Sequence, residues 1–367
     1  MSHKVSSCEV LVAGGGIIGA ACARAAAARG LRVLMCEPGP DPAAASAASA
    51  GILAPQIESS DETLRALGLR ARELYESLAP ELVEATGVDI GLWRDGAASF
   101  AFTEAEAERL RDDVAHQRQA GLRCDWLEAD EAAERFPGTA RCLGALFAPE
   151  NGAVDAPALA RALRADAQRR GAHTLNARVN RLNTILGRAT GVETTAGKIK
   201  AEHVIIAAGA WSPQIEHLPR RLPVEPVRGQ MAAVPWPASM PRTVLYYNHS
   251  YVLARGGEAI FGSTMEHVGF DGSVTPSGVS EIVIAAKFLL PGLPDTPSRT
   301  WAGLRPLTPD GHPIVGPDPD VRGLWYATGH GRNGVLLAAL TGEIIADLIT
   351  TGSTDVDIAS LDVTRFT

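Results

Sequence analysis

Apolar and polar residues follow distinct rhythms in different parts of this chain. Residues 9–13 (EVLVA) are a short apolar run that breaks into Gly14-Gly15-Gly16, the mark of a buried strand ending in a turn. Residues 17–29 (IIGAACARAAAAR) are dominated by the strongest helix former, and Gly30 stops the helix they predict. Residues 31–36 (LRVLMC) predict a second strand ending at Glu37. Together they make a β-α-β unit, whose crossover helix implies a parallel sheet. Residues 43–54 (AAASAASAGILA) are biased toward small side chains and read, by themselves, as a loop.

Residues 61–86 and 103–120 predict amphipathic helices with charged faces, and residues 157–170 another, with Pro157 at the first helical position. Residues 203–208 (HVIIAA) predict a strand running into Gly209. Between 223 and 300 the rhythm changes. Short alternating runs such as 244–254 and 258–264 are separated by Pro/Gly-rich turns, which predicts an antiparallel sheet. Residues 323–328 (GLWYAT) return to a strand, and 334–350 predict a long apolar helix. No repeat of fixed period is present. The order of these patterns predicts an α/β protein (α+β overall). A Rossmann-like domain with a parallel sheet takes residues 1–85, 145–222 and 300–367. An inserted antiparallel-sheet domain takes 86–144 and 223–299.

Composition narrows the function classes. At 367 residues the chain is long enough for two domains, and 46% hydrophobic with 21% charged residues is ordinary for a globular protein. A net charge of −8 argues against a nucleic-acid surface. Five cysteines, none paired as CxxC, predict neither a disulfide framework nor a zinc site and suit a reducing cytoplasm. The nine His include no HxxxH or HxH pair, so no metal is expected. No uninterrupted apolar run reaches the roughly 18–20 residues of a membrane span. The opening MSHKVSSCEV lacks the apolar stretch of a secretory leader.

Gly14-x-Gly16-x-x-Gly19 follows a strand and opens a helix, and Glu37 ends the next strand 23 residues after Gly14. In that context the fingerprint predicts a dinucleotide site. Gly14 allows the tight turn, Gly16 lets backbone approach a pyrophosphate, and Gly19 lets the helix pack on the sheet. Free N–H groups at the helix start face the phosphates, and Glu37 accepts from a ribose. The fingerprint alone does not separate FAD from NAD. Two further strand-to-glycine turns, VIIAAGAWS (204–212) and LWYATGHGRNGVL (324–336), favour FAD over a pyridine nucleotide.

With these turns the chain resembles the D-amino acid oxidase and glycine oxidase family of flavoproteins. The resemblance spans GGGIIG, SAASAGILAPQ, ENGAVD, AAGAWS, PVRGQM, YNHSYVLAR, FGSTM, WAGLRPLTPDGHPIVG and GHGRNGVLLA, in that order. It implies an extended FAD, with Ile17 and Ile18 in the phosphate turn and Glu37 and Pro38 at the adenosine ribose. Val179 would lie near the adenine. Ala45, Ser46 and Ala50, Gly51 and Ile52 would lie against the diphosphate and flavin, where backbone close to a flat ring excludes bulk. Gly209 belongs to the second glycine turn. His330, Gly331, Arg332, Asn333, Gly334, Val335 and Leu336 would meet the flavin pyrimidine edge. Helix N–H groups there would favour the negative charge gained on reduction.

For the substrate, Arg305 sits in the apolar, Pro-rich WAGLRPLTPDG, and its planar fork suits bidentate capture of a carboxylate. An Arg in such a setting is as readily paired with an internal Asp or Glu. The resemblance implies the carboxylate role, shared with Arg332 and with the hydroxyl of Tyr251. His249 would share a strand face with Tyr251, and Met265 would form a pocket wall. Single His, Tyr or Met residues in alternating strands are otherwise more often packing. The expectation is FAD-dependent oxidative deamination of a small amino acid (glycine, sarcosine or a small D-amino acid), with O2 as acceptor. No side chain is expected to act as acid or base. The nearest rival is a dehydrogenase using another acceptor; a non-catalytic flavin protein is the more distant one. Residues 303–308 hold no Cys for covalent attachment, so FAD is expected to be non-covalent. The resemblance also implies a homo-oligomer.

Overall fold

The computed structural model describes residues 7–39, 41, 43–59, 61–236 and 242–366. Residues 1–6, where a leader would begin, lie outside the described residues. In chain order the elements begin with β1 (Ser7–Ala13), α1 (Ile17–Ala28), β2 (Val33–Cys36), α2 (Ala45–Ala48), β3 (Ile52–Leu53), α3 (Pro55–Glu58) and α4 (Glu62–Thr86). Next come β4 (Ala97–Ala101), α5 (Glu104–Gln119), β5 (Asp125–Glu128), α6 (Ala129–Arg135), β6 (Gly144–Ala148), β7 (Gly152–Ala153) and α7 (Ala156–Arg169). They are followed by β8 (His173–Leu175), β9 (Val179–Ile185), β10 (Arg188–Thr194), β11 (Gly197–Ile206) and β12 (Glu225–Pro235). Then come β13 (Val244–Tyr247), β14 (Ser250–Arg255), β15 (Glu258–Gly262), α8 (Pro276–Leu289) and β16 (Arg299–Leu307). The last are β17 (Ile314–Pro317), β18 (Leu324–Thr328) and α9 (Gly334–Thr351).

One eight-stranded sheet has the order β17-β18-β11-β1-β2-β8, with β10 and β9 folding off β11. The strands from β18 to β8 are parallel, and β17 closes the edge antiparallel. Both faces of β1 are covered, which is why its sequence is apolar without alternation. Val10 and Val12 pack with α1, α4, α7 and α9, while Leu11 and Ala13 pack with the β9–β10 side. The end of α1 follows from Gly30: at φ +82° it lets Gly30 N–H reach Ala27 O and Leu31 N–H reach Ala26 O. Helix α9 is long and apolar enough to cross a membrane by composition, but 56% of it is buried inside the protein, against α1 and α4.

The second sheet has the order β16-β12-β15-β14-β13-β4-β6-β5, and all its pairs are antiparallel except β13–β4. One face packs on α8, and the other faces Ala50, Ile52 and Ala54.

The structure differs from the sequence reading in four places. Helix α8 lies inside the stretch read as strands and turns. Its Val and Ile residues favour strands locally, but Thr275 caps the helix by accepting from Gly278 N–H (3.2 Å), and Ile282, Ala286 and Leu289 bury one face on the sheet. Strands β6 and β16 pair in the second sheet, so residues 145–148 and 300–307 leave the parallel-sheet unit expected to hold them. Strand β16 runs beside β12 from Glu225↔Leu307 to Ala233↔Arg299, a pairing with no local signal. Pro157 is the second helical residue, because Asp155 caps α7 from Ala158 N–H (2.9 Å). The stretch 43–54 is not all loop: it contains the turn α2 and strand β3, which pairs with β7.

Candidate active site

Gly14 at φ +111° leaves β1 where a Cβ would lie 2.4 Å from Ala207 O, and a Cβ on Gly19 would lie 1.9 Å from Gly14 O. Only hydrogen atoms fit, so α1 starts directly over the sheet edge. Its first turn carries no acidic side chain. Ile17 N–H donates to Ser46 Oγ (2.9 Å) and Gly15 N–H to Glu37 Oε2 (2.5 Å). Burial pushes the Glu37 carboxyl up, opposed by the Gly15 N–H and the Arg164 charge.

From Glu37, Pro38 and Val179 a cavity of about 1410 Å³ runs past the start of α1 and the small-residue segment to Arg305 between the two sheets. That segment is fastened to the second sheet. Leu304 N–H donates to Ala43 O (2.9 Å), Trp301 Nε1 to Ala48 O (2.9 Å), and Arg255 Nη1 to Ala50 O (3.3 Å). A Cβ on Gly303 would meet Ala48 Cβ at 2.5 Å, so small residues are required on both sides. On the opposite wall Gly331 N–H donates to Pro306 O (2.8 Å). His330 is buried against Thr341 Oγ1 (3.0 Å), and burial pushes its imidazole down to about 3, so it is neutral. Helix α9 then begins with no acidic residue in its first turn. A long cleft with N–H groups at two helix starts, a carboxylate at one end and Cβ-free walls fits an extended dinucleotide cofactor.

Arg305 closes the far end. Its Nη1 donates to Thr264 O (3.1 Å) and its Nη2 to Ser263 Oγ. No carboxylate among the described residues is close enough to pair with it, and burial pulls its guanidinium below the usual arginine value. Opposite stand Tyr251, whose hydroxyl donates to Met231 Sδ (3.1 Å), and Tyr246, its cross-strand neighbour on β13. Burial pushes the Tyr251 hydroxyl up to about 12 and Tyr246 well above its ordinary value, so both stay protonated donors. Glu58 enters from the end of α3. Burial pushes its carboxyl up, against the pull of Arg332, the Tyr246 hydroxyl and Arg305.

Of the cofactor residues expected from the sequence, all but Gly19, Asn333 and Leu336 border this cavity. Gly19 sits behind it as the helix-packing glycine. Asn333 is buried at the start of α9, and Leu336 turns onto Gly68, where a Cβ would lie 3.0 Å from Leu336 Cδ2. Arg305, Arg332, Tyr251 and His249 border the cavity too. His249, however, lies in the two-residue turn between β13 and β14, exposed at the rim and not on the strand face of Tyr251. Met265 is not a wall. The chain leaves the sheet after Gly262, Glu266 pairs back onto Arg228, and Met265 is left 52% exposed. The methionine in the wall is Met231. Sequence reasoning missed Glu58, Tyr246 and Met231. Tyr246 had a signal, standing five residues before Tyr251 across a hairpin; the other two had none.

Comparison with known proteins agrees with this geometry. The chain is 37% identical to the glycine oxidase of Geobacillus kaustophilus (strain HTA426), over 100% of this chain and 98% of that one. The crystal structure of glycine oxidase from Geobacillus kaustophilus superposes with a TM-score of 0.92 at 36% identity, covering 98% of this chain and 99% of that one. That of iminodiacetate oxidase from Chelativorans sp. BNC1 gives 0.88 at 29% identity, covering 96% and 98%. The model of the DAO family, FAD-dependent oxidoreductases, matches residues 9–348, and the chain belongs to that family.

Proposed function

We infer that this FAD-dependent oxidoreductase oxidises a small amino acid, primary or N-alkylated, to an imine that water hydrolyses to an oxo acid and ammonia or an amine. The observation that carries this reading is Arg305: a guanidinium lining the cavity with no carboxylate partner among the described residues, facing the Tyr251 hydroxyl. Such a group calls for a substrate carboxylate. Relatives named for glycine and iminodiacetate oxidation support the same substrate class.

FAD, when bound, supplies a two-electron acceptor for the substrate's Cα hydride, with O2 as the final acceptor and hydrogen peroxide as product. Gly14 to Ile18 would hold its diphosphate, Glu37 and Val179 its adenosine, and residues 45–52 and 330–335 its ring. With no Cys in 303–308, attachment is non-covalent. Arg305 holds the substrate carboxylate, and the Tyr251 hydroxyl donates to it, while the Tyr246 hydroxyl faces Glu58. Arg332 adds positive charge at the exposed side. Ile57 and Met231 bound the space for a side chain or N-substituent. Discrimination by one methylene is worth only about 1–3 kcal/mol, so several small substrates are accepted. The buried, unpaired thiols support a reducing compartment, and the resemblance supports a homo-oligomer.

Anaerobic mixing of the yellow holoprotein with glycine, sarcosine and small D-amino acids tests the reading. Bleaching by at least one of them, followed by peroxide formation on admitting air, is expected. A yellow protein that none of them bleaches overturns it. Bleaching that reverses with a dye but not with O2 transfers the assignment to a dehydrogenase.

A further inference from the structure

We propose that Glu58 takes the proton of the substrate's ammonium group, converting the bound zwitterion into the neutral amine that can release hydride. The proposal rests on the carboxylate-anchoring role of Arg305 and departs from the expectation that no side chain serves as acid or base.

The placement of Glu58 is built into the fold. It ends the single turn α3, with its N–H on Ala54 O (2.9 Å). Two residues earlier, Gln56 is 2% exposed and held through its side-chain amide and its backbone carbonyl. Its Nε2 donates to Gln117 Oε1 (3.0 Å) and Arg123 O (2.9 Å), and its Oε1 accepts from Arg72 Nη1 (2.9 Å). Its backbone carbonyl accepts from Gln117 Nε2 (2.9 Å). Arg72 is itself neutralised by Glu150 (2.9 Å), so its charge is spent behind α3. A buried clamp of this kind fixes whatever the same turn presents to the cavity.

What it presents is a carboxyl that borders the cavity together with Arg305, Arg332, Tyr246 and Tyr251, in no ion pair among the described residues. The groups acting on it are Arg332 before α9, Arg305 on β16, Tyr246 on β13 and Tyr251 on β14. This end of the cavity therefore offers two guanidinium groups to a substrate carboxylate and one carboxyl, that of Glu58, to its amine. In an α-amino acid both groups hang on one carbon. With the carboxylate on Arg305, the nitrogen stays at the end of the cavity that Glu58 also borders. In the step, one ammonium N–H bond breaks and one Glu58 O–H bond forms. No electrons leave the substrate. The freed nitrogen lone pair then assists departure of hydride from Cα, and Glu58 returns its proton to water at the open Arg332 side. Burial raises the affinity of Glu58 for a proton and so narrows the gap to the amine.

The test compares parent, Glu58→Gln and Glu58→Asp holoenzymes by anaerobic stopped-flow reduction with glycine between about pH 7 and pH 10.5, beside acetate binding followed by flavin difference spectra. Glu58→Gln is expected to reduce about 10²-fold more slowly near neutrality and to recover to within a few-fold at the alkaline end, where anionic glycine is abundant. Acetate has no amine, so Glu58→Gln binds it as tightly as the parent or more tightly. Glu58→Asp keeps a carboxylate and keeps the shape of the parent profile. An unchanged profile in Glu58→Gln, an equal loss at every pH, weakened acetate binding, or a Glu58→Asp profile like that of the glutamine variant overturns the proposal. A parent enzyme that glycine, sarcosine and D-amino acids all fail to bleach refutes the substrate reading itself, which is a distinguishable failure.

Discussion

The guanidinium of Arg305 lies directly over the backbone of Gly229, so that a Cβ there would come within 2.3 Å of both terminal nitrogens. Gly229 stands diagonal to Arg305 across the β12–β16 ladder, two residues from its partner Val227. Glycine is therefore the space that lets the charge fold down onto Ser263 and Thr264. Gly229→Ala is expected to lift the guanidinium and raise KM for the amino acid by about 10- to 100-fold while FAD stays bound. Steady-state kinetics beside the flavin spectrum checks this.

Trp301 joins the two halves of the site. Its indole N–H holds Ala48 O at 2.9 Å, four residues along β16 from Arg305. Trp301→Phe keeps the ring and removes the donor. The small-residue segment loses one fastening, and FAD is expected to bind more weakly by about 0.5–1.5 kcal/mol, or roughly two- to tenfold in Kd. Fluorescence titration of the apoprotein with FAD measures it.

Gly19 has no room for a side chain at all. A Cβ would sit 1.9 Å from Gly14 O, and α1 would have to move off the sheet. Gly19→Ala is expected to destabilise the protein by about 1–3 kcal/mol and to weaken FAD binding together with it. Calorimetry with and without added FAD would register both.

His330 makes stability depend on pH in a definite direction. Its imidazole is pushed from 6.5 down to about 3 by burial. Between those values the unfolded chain binds a proton that the folded chain refuses, so stability is full above the upper value and falls as pH drops toward the lower one. Denaturant unfolding at pH 7 and pH 5 should show this fall, and His330→Asn should show less of it.

Much of the first sheet was legible because its signals are local. The run EVLVA, the alanines of α1 and the spacing of Gly14, Gly16 and Glu37 all lie within one β-α-β unit. The second sheet was less so. Strands β12 and β16 are some 70 residues apart in sequence, and nothing near either one announces the pairing that puts Gly229 beneath Arg305. The same gap hid Glu58, whose chemistry depends on arginines brought from β16 and the start of α9. Met265 and His249 were misplaced because alternation continues only while the strand does: one falls after β15 ends, the other before β14 begins. In α8, β-branched residues pointed to strand, and burial against the sheet overrode them.

The most direct trial of the whole account is anaerobic reduction of the parent and of Arg305→Leu by increasing glycine or sarcosine. Both proteins are expected to be yellow, the parent to bleach, and the variant to need on the order of 10²-fold more substrate for the same rate. Equal half-saturation in the two proteins would mean that Arg305 does not anchor the substrate carboxylate.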